Sequence, residues 1–206
     1  TIGLAIAKAF PKTDVLMCDV NLRAIELTQT NILLNKVNNA KVIESNTYEH
    51  VKGIIIQEGK FDYIISNPPF GIEWKTSEKA VKDEHDLGDA GRFEPGLPAI
   101  GDGQMLFMLN GIAKLKDEGR MAIIQNGSSL FKGDAGSGES NIRGYLLEHD
   151  WLEAIVQLPT DLFYNTGIAT YVWIITKNKS EDRIGKVQLI DASKCFEKRR
   201  KPLGNK

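Results

Sequence analysis

Asn67, Pro68, Pro69 and Phe70 are the residues of this chain whose types and spacing could carry chemistry. They follow an apolar run, Phe61 to Ser66 (FDYIIS), that reads as a strand. In open α/β sheets, ligands bind outside the carboxyl ends of strands. An Asn side-chain oxygen and the carbonyl of the next residue make a pair of acceptors. Such a pair suits the two N–H protons of a conjugated amine, for example the exocyclic 6-amino group of adenine. That nitrogen is a weak nucleophile, because its lone pair is delocalised into the ring. Drawing its protons onto the Asn67 oxygen and the Pro68 carbonyl would turn it towards a tetrahedral geometry, ready to attack a methyl sulfonium. Pro68 and Pro69 restrict the backbone, so the carbonyl is held in place before substrate arrives. The Phe70 ring can stack on a base swung out of its helix. No covalent nucleophile is needed, and no Pro-Cys pair of the cytosine ring-carbon type occurs. The plain alternative is a turn, since Asn and Pro are common loop residues. The position directly after a strand favours the chemical reading.

The elements that must hold these residues can be read from periodicity. Thr1 to Phe10 reads as a helix. Asp14 to Asp19 (DVLMCD) reads as a buried strand ending in an acid, and Asn21 caps a helix that runs to about Lys36. Lys41 to Glu44 is a further strand, and Thr47 to Glu58 a possible helix. After Phe70 comes a long polar stretch, Gly71 to Asp102, with several Gly and Pro. A loop of that length is usually functional or mobile. Gln104 to Lys116 reads as a helix stopped by Gly119, Met121 to Gln125 as a strand, Lys132 to Ser140 as a loop and Ile142 to His149 as a helix. Leu152 to Leu158, Tyr171 to Thr176 and Lys186 to Ile190 complete the strands. Strands alternating with helices predict an α/β fold with a mostly parallel sheet. The close succession of the last strands predicts an antiparallel pair at the sheet edge.

The 206 residues predict one domain, residues 1–206, with 42% hydrophobic and 26% charged residues in the range of soluble globular proteins. The formal net charge of -1 is low for a protein that holds nucleic acid alone. If DNA is the substrate, a partner or a segment outside this sequence supplies much of the phosphate contact. Two distant cysteines, Cys18 and Cys195, suggest neither a disulfide framework nor a metal site and fit a reducing cytoplasm. No run is long and apolar enough for a membrane helix. His50, His85 and His149 are scattered, so no metal is expected. Asp150, Glu153 and Asp161 read as surface acids, and Trp74, Trp151 and Trp173 as core or loop anchors. The basic run Lys198 to Lys201 reads as a solvated tail, with contact to phosphate as the alternative.

Three later segments add specificity: Gly119 to Gly133 (GRMAIIQNGSSLFKG), Asn141 to Lys179 and Gly185 to Phe196 (GKVQLIDASKCF). With Asn67 to Phe70 in front of them, and with Ile142-Arg143, Leu158-Pro159, Leu162-Phe163-Tyr164, Thr166-Gly167-Ile168 and Lys177 in order, the chain resembles the N-6 adenine DNA methylase family. Within it, the likeness is to the modification subunits of type I restriction–modification systems. The resemblance runs from about Phe61 to the end.

It implies a class I S-adenosylmethionine-dependent methyltransferase fold, Rossmann-like, with its first strand and Gly-rich loop lying upstream of Thr1. Asn67, Pro68, Pro69 and Phe70 would be catalytic. Asp19 would hold the cofactor ribose, against the plain alternative of an acid at a helix N-terminus. Asn46 stands where the family often has an acid facing the cofactor adenine, and Glu44 is near enough to be the counterpart. Gly3 would be the tail of the Gly-rich loop. The loop Phe163-Tyr164-Asn165 either flanks a flipped base or is a turn packed on the core. The implied partners are DNA, a separate specificity subunit and a restriction (nuclease) subunit. The alternatives are an amino-methyltransferase for RNA or protein glutamine, whose Asn-Pro-Pro is commonly followed by Tyr, and a non-catalytic scaffold of the same fold.

Overall fold

The computed structural model describes residues 2–44, 60–163 and 166–197. It divides into two compact units, Thr1–Gly59 and Lys60–Lys206.

The first unit runs α1 (Ile2–Ala9), β1 (Val15–Asp19), α2 (Leu22–Leu34) and β2 (Ala40–Glu44). β1 and β2 pair in parallel, with Val15 opposite Ala40 and Asp19 opposite Glu44. α2 begins where expected: Asn21 Oδ1 accepts the amides of Arg23 and Ala24 at 3.0 and 3.4 Å. It ends in a left-handed residue, Lys36, with φ of 52°. The Lys36 and Val37 amides then reach back to the Leu33 and Ile32 carbonyls, which satisfies the last turn. Asn39 Nδ2 lies within hydrogen-bond distance of the carbonyls of Ala7, Phe10 and Thr13, tying the end of α1 to the start of β2. β1 is less buried than its apolar sequence suggests. Among the described residues it pairs with β2 alone, and Cys18 and Asp19 are exposed. The expected helix over 47–58 lies outside the described residues.

The second unit carries β3 (Phe61–Ser66), α3 (Glu78–His85), α4 (Gln104–Lys114), β4 (Leu115–Asn126), α5 (Ser128–Phe131), α6 (Gly138–Glu148), β5 (Leu152–Gln157), β6 (Thr170–Thr176) and β7 (Gln188–Asp191). The strand order is β3-β4-β6-β5-β7. β3 and β4 are parallel, as are β5 and β7, while β6 runs against both its neighbours. The reversal therefore falls among the last strands, as the sequence predicts. It sits between β4 and β5, however, and the edge strands of this sheet among the described residues are β3 and β7.

The core forms on one face of this sheet. Met121 and Ile123 of β4 stand opposite Ile175 and Trp173 of β6. Met108 and Ile112 of α4, Leu146 of α6 and Leu152 of β5 close over them. Trp173, 1% exposed, is among the largest fully buried side chains. Among the described residues no helix is long and apolar enough to cross a membrane.

The stretch 71–102 departs from expectation. It is not a bare loop, for it contains α3 and two short 3₁₀ turns, and Trp74, Val81 and Phe93 are buried. α3 (EKAVKDEH) has one buried apolar residue, Val81, so no periodic pattern announces it. Its support is partly polar. Arg92 donates from Nε and Nη2 to the two oxygens of Glu84 at 2.6 and 2.5 Å, and from Nη1 to Asn110 of α4 at 2.7 Å.

Candidate active site

Because β3 and β4 are parallel, with Ser66 opposite Ile123, their carboxyl ends point the same way. β6 is antiparallel and starts at Thr170, opposite Asn126. β5 ends at Gln157, opposite Tyr171. Asn67–Phe70, the turn after Asn126 and the β5–β6 connection therefore gather at one end of the sheet. This is the end where open α/β sheets bind ligands.

Within the motif, Pro68 is buried, Phe70 is half-buried, and Asn67 and Pro69 are exposed. The Asn67 amide is thus presented to solvent while the backbone beside it is packed. Gly71 follows with φ of 62°, a conformation that side chains disfavour, and turns the chain away from the strand end. The chain is fastened again at once. The Gly103 amide donates to the Ile72 carbonyl at 2.8 Å, the Trp74 amide to the Ile100 carbonyl at 3.0 Å, and the Trp74 indole to the Ala99 carbonyl at 3.1 Å.

Beside this lies a polar cluster that sequence reasoning missed. Gln104, 2% exposed, opens α4. Its Nε2 is 3.0 Å from Asp102 Oδ2, 2.8 Å from Asn126 Oδ1 and 2.7 Å from Ser128 Oγ. Its Oε1 accepts the Asn126 amide at 3.0 Å. Ser128 donates its amide to Asn126 Oδ1 at 2.9 Å. Its hydroxyl, with one proton, is 2.8 Å from Asp102 Oδ2 and 2.6 Å from Asn126 Oδ1. Lys132 Nζ stands 3.9 Å from Asp102 Oδ2. A signal was available: Gln104 is a polar residue directly before the apolar run 105–109, and Asn126 closes β4 just after the apolar run 121–124.

In the first unit, Asp19 ends β1 with an exposed side chain, and its Oδ1 accepts the Asn21 amide at 2.8 Å. Pairing in register brings Glu44 alongside it. Gly3 lies in α1, not in a loop. A Cβ there would come 2.6 Å from the Met17 side chain, so α1 packs closely on β1. Asn46 lies outside the described residues, as do Tyr164 and Asn165. Phe163, on the edge of that gap, is half-buried.

Of the three acids read as surface residues, two are engaged: Asp150 accepts from the buried Lys179, and the half-buried Glu153 pairs with Arg120 at 3.2 Å. Trp74 and Trp173 are core residues, as expected, and Trp151 packs edge-on against Tyr145.

The sequence profile of the family described as N-6 DNA Methylase matches residues 13–205. The chain belongs to this family. Its similarity to the methylase subunit of a type I restriction enzyme of Mycoplasma pneumoniae is 28% identity over 192 residues, 89% of this chain and 34% of that protein. A type I methylase subunit of Methanocaldococcus jannaschii is 32% identical over 178 residues, 84% of this chain and 29% of its own length. This N-6 DNA methylase chain therefore spans about a third of the curated relatives it matches. The crystal structure of a type I restriction–modification methyltransferase subunit from Streptococcus thermophilus superposes with a TM-score of 0.79 at 28% identity. The match covers 97% of this chain and 42% of that one. The fold is accordingly that of class I methyltransferases, and the family resemblance read from Asn67 to Phe70 and the downstream segments is correct.

Proposed function

We propose that this chain is a methyltransferase catalytic domain, residues 1–206, of a type I modification subunit. It transfers a methyl group from S-adenosylmethionine to the 6-amino group of adenine in DNA. The observation that carries the reading is the presentation of Asn67: an exposed amide at the carboxyl end of β3, beside a buried Pro68, on a chain segment fastened at both ends.

Asn67 Oδ1 and the Pro68 carbonyl accept the two protons of the adenine amine and raise the availability of its lone pair. With the cofactor supplying the methyl group, the adenine nitrogen would be its acceptor, and one of the two protons held at Asn67 Oδ1 and the Pro68 carbonyl would pass on to solvent. Pro68 and Pro69 keep the second acceptor in place, so little reorganisation accompanies the step. Phe70 stacks on the extruded base.

The cofactor supplies an activated methyl group on a sulfonium. Asp19 fits its ribose, since it offers an exposed carboxylate at a strand end. Glu44, its neighbour in register, is the better-supported candidate for the second contact, and Asn46 the alternative. Gly3 lets the helix after the cofactor loop approach β1 closely.

The partners under this reading are DNA, a specificity subunit that selects the site and, in the complete system, a restriction subunit. The net charge of -1 supports shared DNA contact. The setting is the cytoplasm, which the low cysteine content, two residues far apart in sequence, supports.

The test is methyl transfer from labelled S-adenosylmethionine with the full-length parent protein, with and without its specificity subunit. Label on adenine in DNA only when the partner is present is the expected result. Label on RNA or protein instead would overturn the substrate assignment.

A further inference from the structure

The catalytic segment 67–71 is held at two ends, and both holds refer to one strand. At its start, β3 pairs with β4 up to Ser66 opposite Ile123. At its end, the Ile72 carbonyl takes the Gly103 amide. Gly103 is flanked by Asp102 and Gln104, whose side chains meet Asn126 and Ser128 at the carboxyl end of β4.

Gln104 is the hub. It accepts from the Asn126 backbone and donates into a set of three acceptors, Asp102 Oδ2, Asn126 Oδ1 and Ser128 Oγ. Its amide has two protons for those three partners, so one is shared. A second glutamine supports the joint, since Gln125 Nε2 donates to the Gln104 carbonyl at 3.3 Å. A cluster this buried and this well satisfied has a defined geometry, and losing one member leaves others unpaired.

We propose that Gln104 is a positioning residue for the reaction. By locking Gly103 to the end of β4, it sets where Ile72, and hence the Asn67–Pro68 acceptor pair, stands relative to the sheet. This rests on the catalytic assignment of Asn67 to Phe70. It adds a specific dependence: the acceptor pair keeps its place only while the Gln104 amide bridges Asp102, Asn126 and Ser128. Displacing reacting groups by even an ångström costs up to about a hundredfold in rate.

The experiment uses the full-length parent protein with its specificity subunit and the variant Gln104→Met, which keeps length and bulk and removes every hydrogen bond of the side chain. Expected is a fall in kcat of about 10- to 100-fold. The KM for DNA and the Kd for S-adenosylmethionine should change less than about twofold, because the groups that bind them are untouched. Amide hydrogen exchange should accelerate at Gly103 and Trp74. Ser128→Ala serves where Gln104→Met folds poorly, with the same pattern at smaller amplitude.

An unchanged kcat in a folded variant overturns the proposal, and so does unchanged exchange at Gly103. So does a loss of activity that tracks the fraction unfolded. If the wild type labels RNA or protein rather than DNA, the substrate reading fails, while a kcat-only loss on that acceptor still supports the bridge.

Discussion

Lys179 donates to Asp150 Oδ1 at 2.5 Å while its own side chain is only 2% exposed. The ammonium also meets the Lys186 carbonyl at 2.8 Å, so the pair ties the turn before β5 to the connection between β6 and β7. Asp150 sits at φ of 55°, a conformation that Asn also tolerates. The hydrogen bond from Lys179, and after it the Gly185 amide, hold the Asp150 carboxyl below the usual carboxylate range. A carboxyl lowered in the folded state stabilises above its unfolded value of about 3.9 and loses that contribution as pH falls through the folded value. Asp150→Asn should therefore lower Tm at neutral pH, and the gap to wild type should close as the solution is acidified below pH of about 4. Thermal unfolding of both proteins across that range checks this. A gap independent of pH would remove the ion pair as its cause.

Gly138 opens α6 directly against the 71–102 segment. A Cβ there would lie 1.7 Å from the Leu97 carbonyl oxygen, and this is backbone that cannot swing aside. The next residue, Glu139, accepts the Ala99 amide at 2.9 Å. Gly138→Ala should force the two segments apart and destabilise the fold by about 1–3 kcal/mol. Chemical denaturation would read this directly, and a change under about 0.5 kcal/mol would show that the approach is looser than the structure has it.

Arg92 makes a planar fork to Glu84 and reaches Asn110 with its remaining nitrogen. Lysine carries the same charge but cannot place three donors in that geometry. Arg92→Lys should cost about 2 kcal/mol. The loss should appear as faster proteolysis within 78–93 before global unfolding. Wild-type resistance in the variant would argue that charge alone holds α3 in place.

These two contacts also explain which parts of the molecule the sequence discloses. β3, α2 and the β5–β6 pair are legible because each rests on local signals: an apolar run, an Asn cap, a hydrophobic period. The place of Asn67 to Phe70 at a strand end is legible because two prolines directly follow the apolar run 61–66. The 71–102 segment is not, because Arg92, Glu84, Asn110, Gly138 and Leu97 come together only in three dimensions, and none of their pairings leaves a periodic trace. The interior place of β6 is hidden for the same reason. Closely spaced strands predict antiparallel pairing, but whether the third strand slots between the other two is decided by the match of Ile123 to Trp173 and Met121 to Ile175. Gln104 is readable only as an oddity, a polar residue directly before the apolar run 105–109.

Asn67 is the residue whose removal separates chemistry from stability. Its side chain is exposed at the end of β3, so Asn67→Ala should leave the unfolding free energy within about 0.5 kcal/mol of wild type. Under the proposed mechanism the same change deletes one of the two acceptors for the reacting amine, and kcat should fall about 10²- to 10³-fold. Asn67→Asp retains an acceptor oxygen in nearly the same place and adds a charge that favours the positive nitrogen forming during attack. It should keep more activity than the alanine variant, with the KM for DNA little changed in either. Single-turnover methylation by the parent protein measures both. Equal loss in the two variants would mean that the Asn67 nitrogen, as a donor, carries the function, and the acceptor-pair mechanism would have to be abandoned.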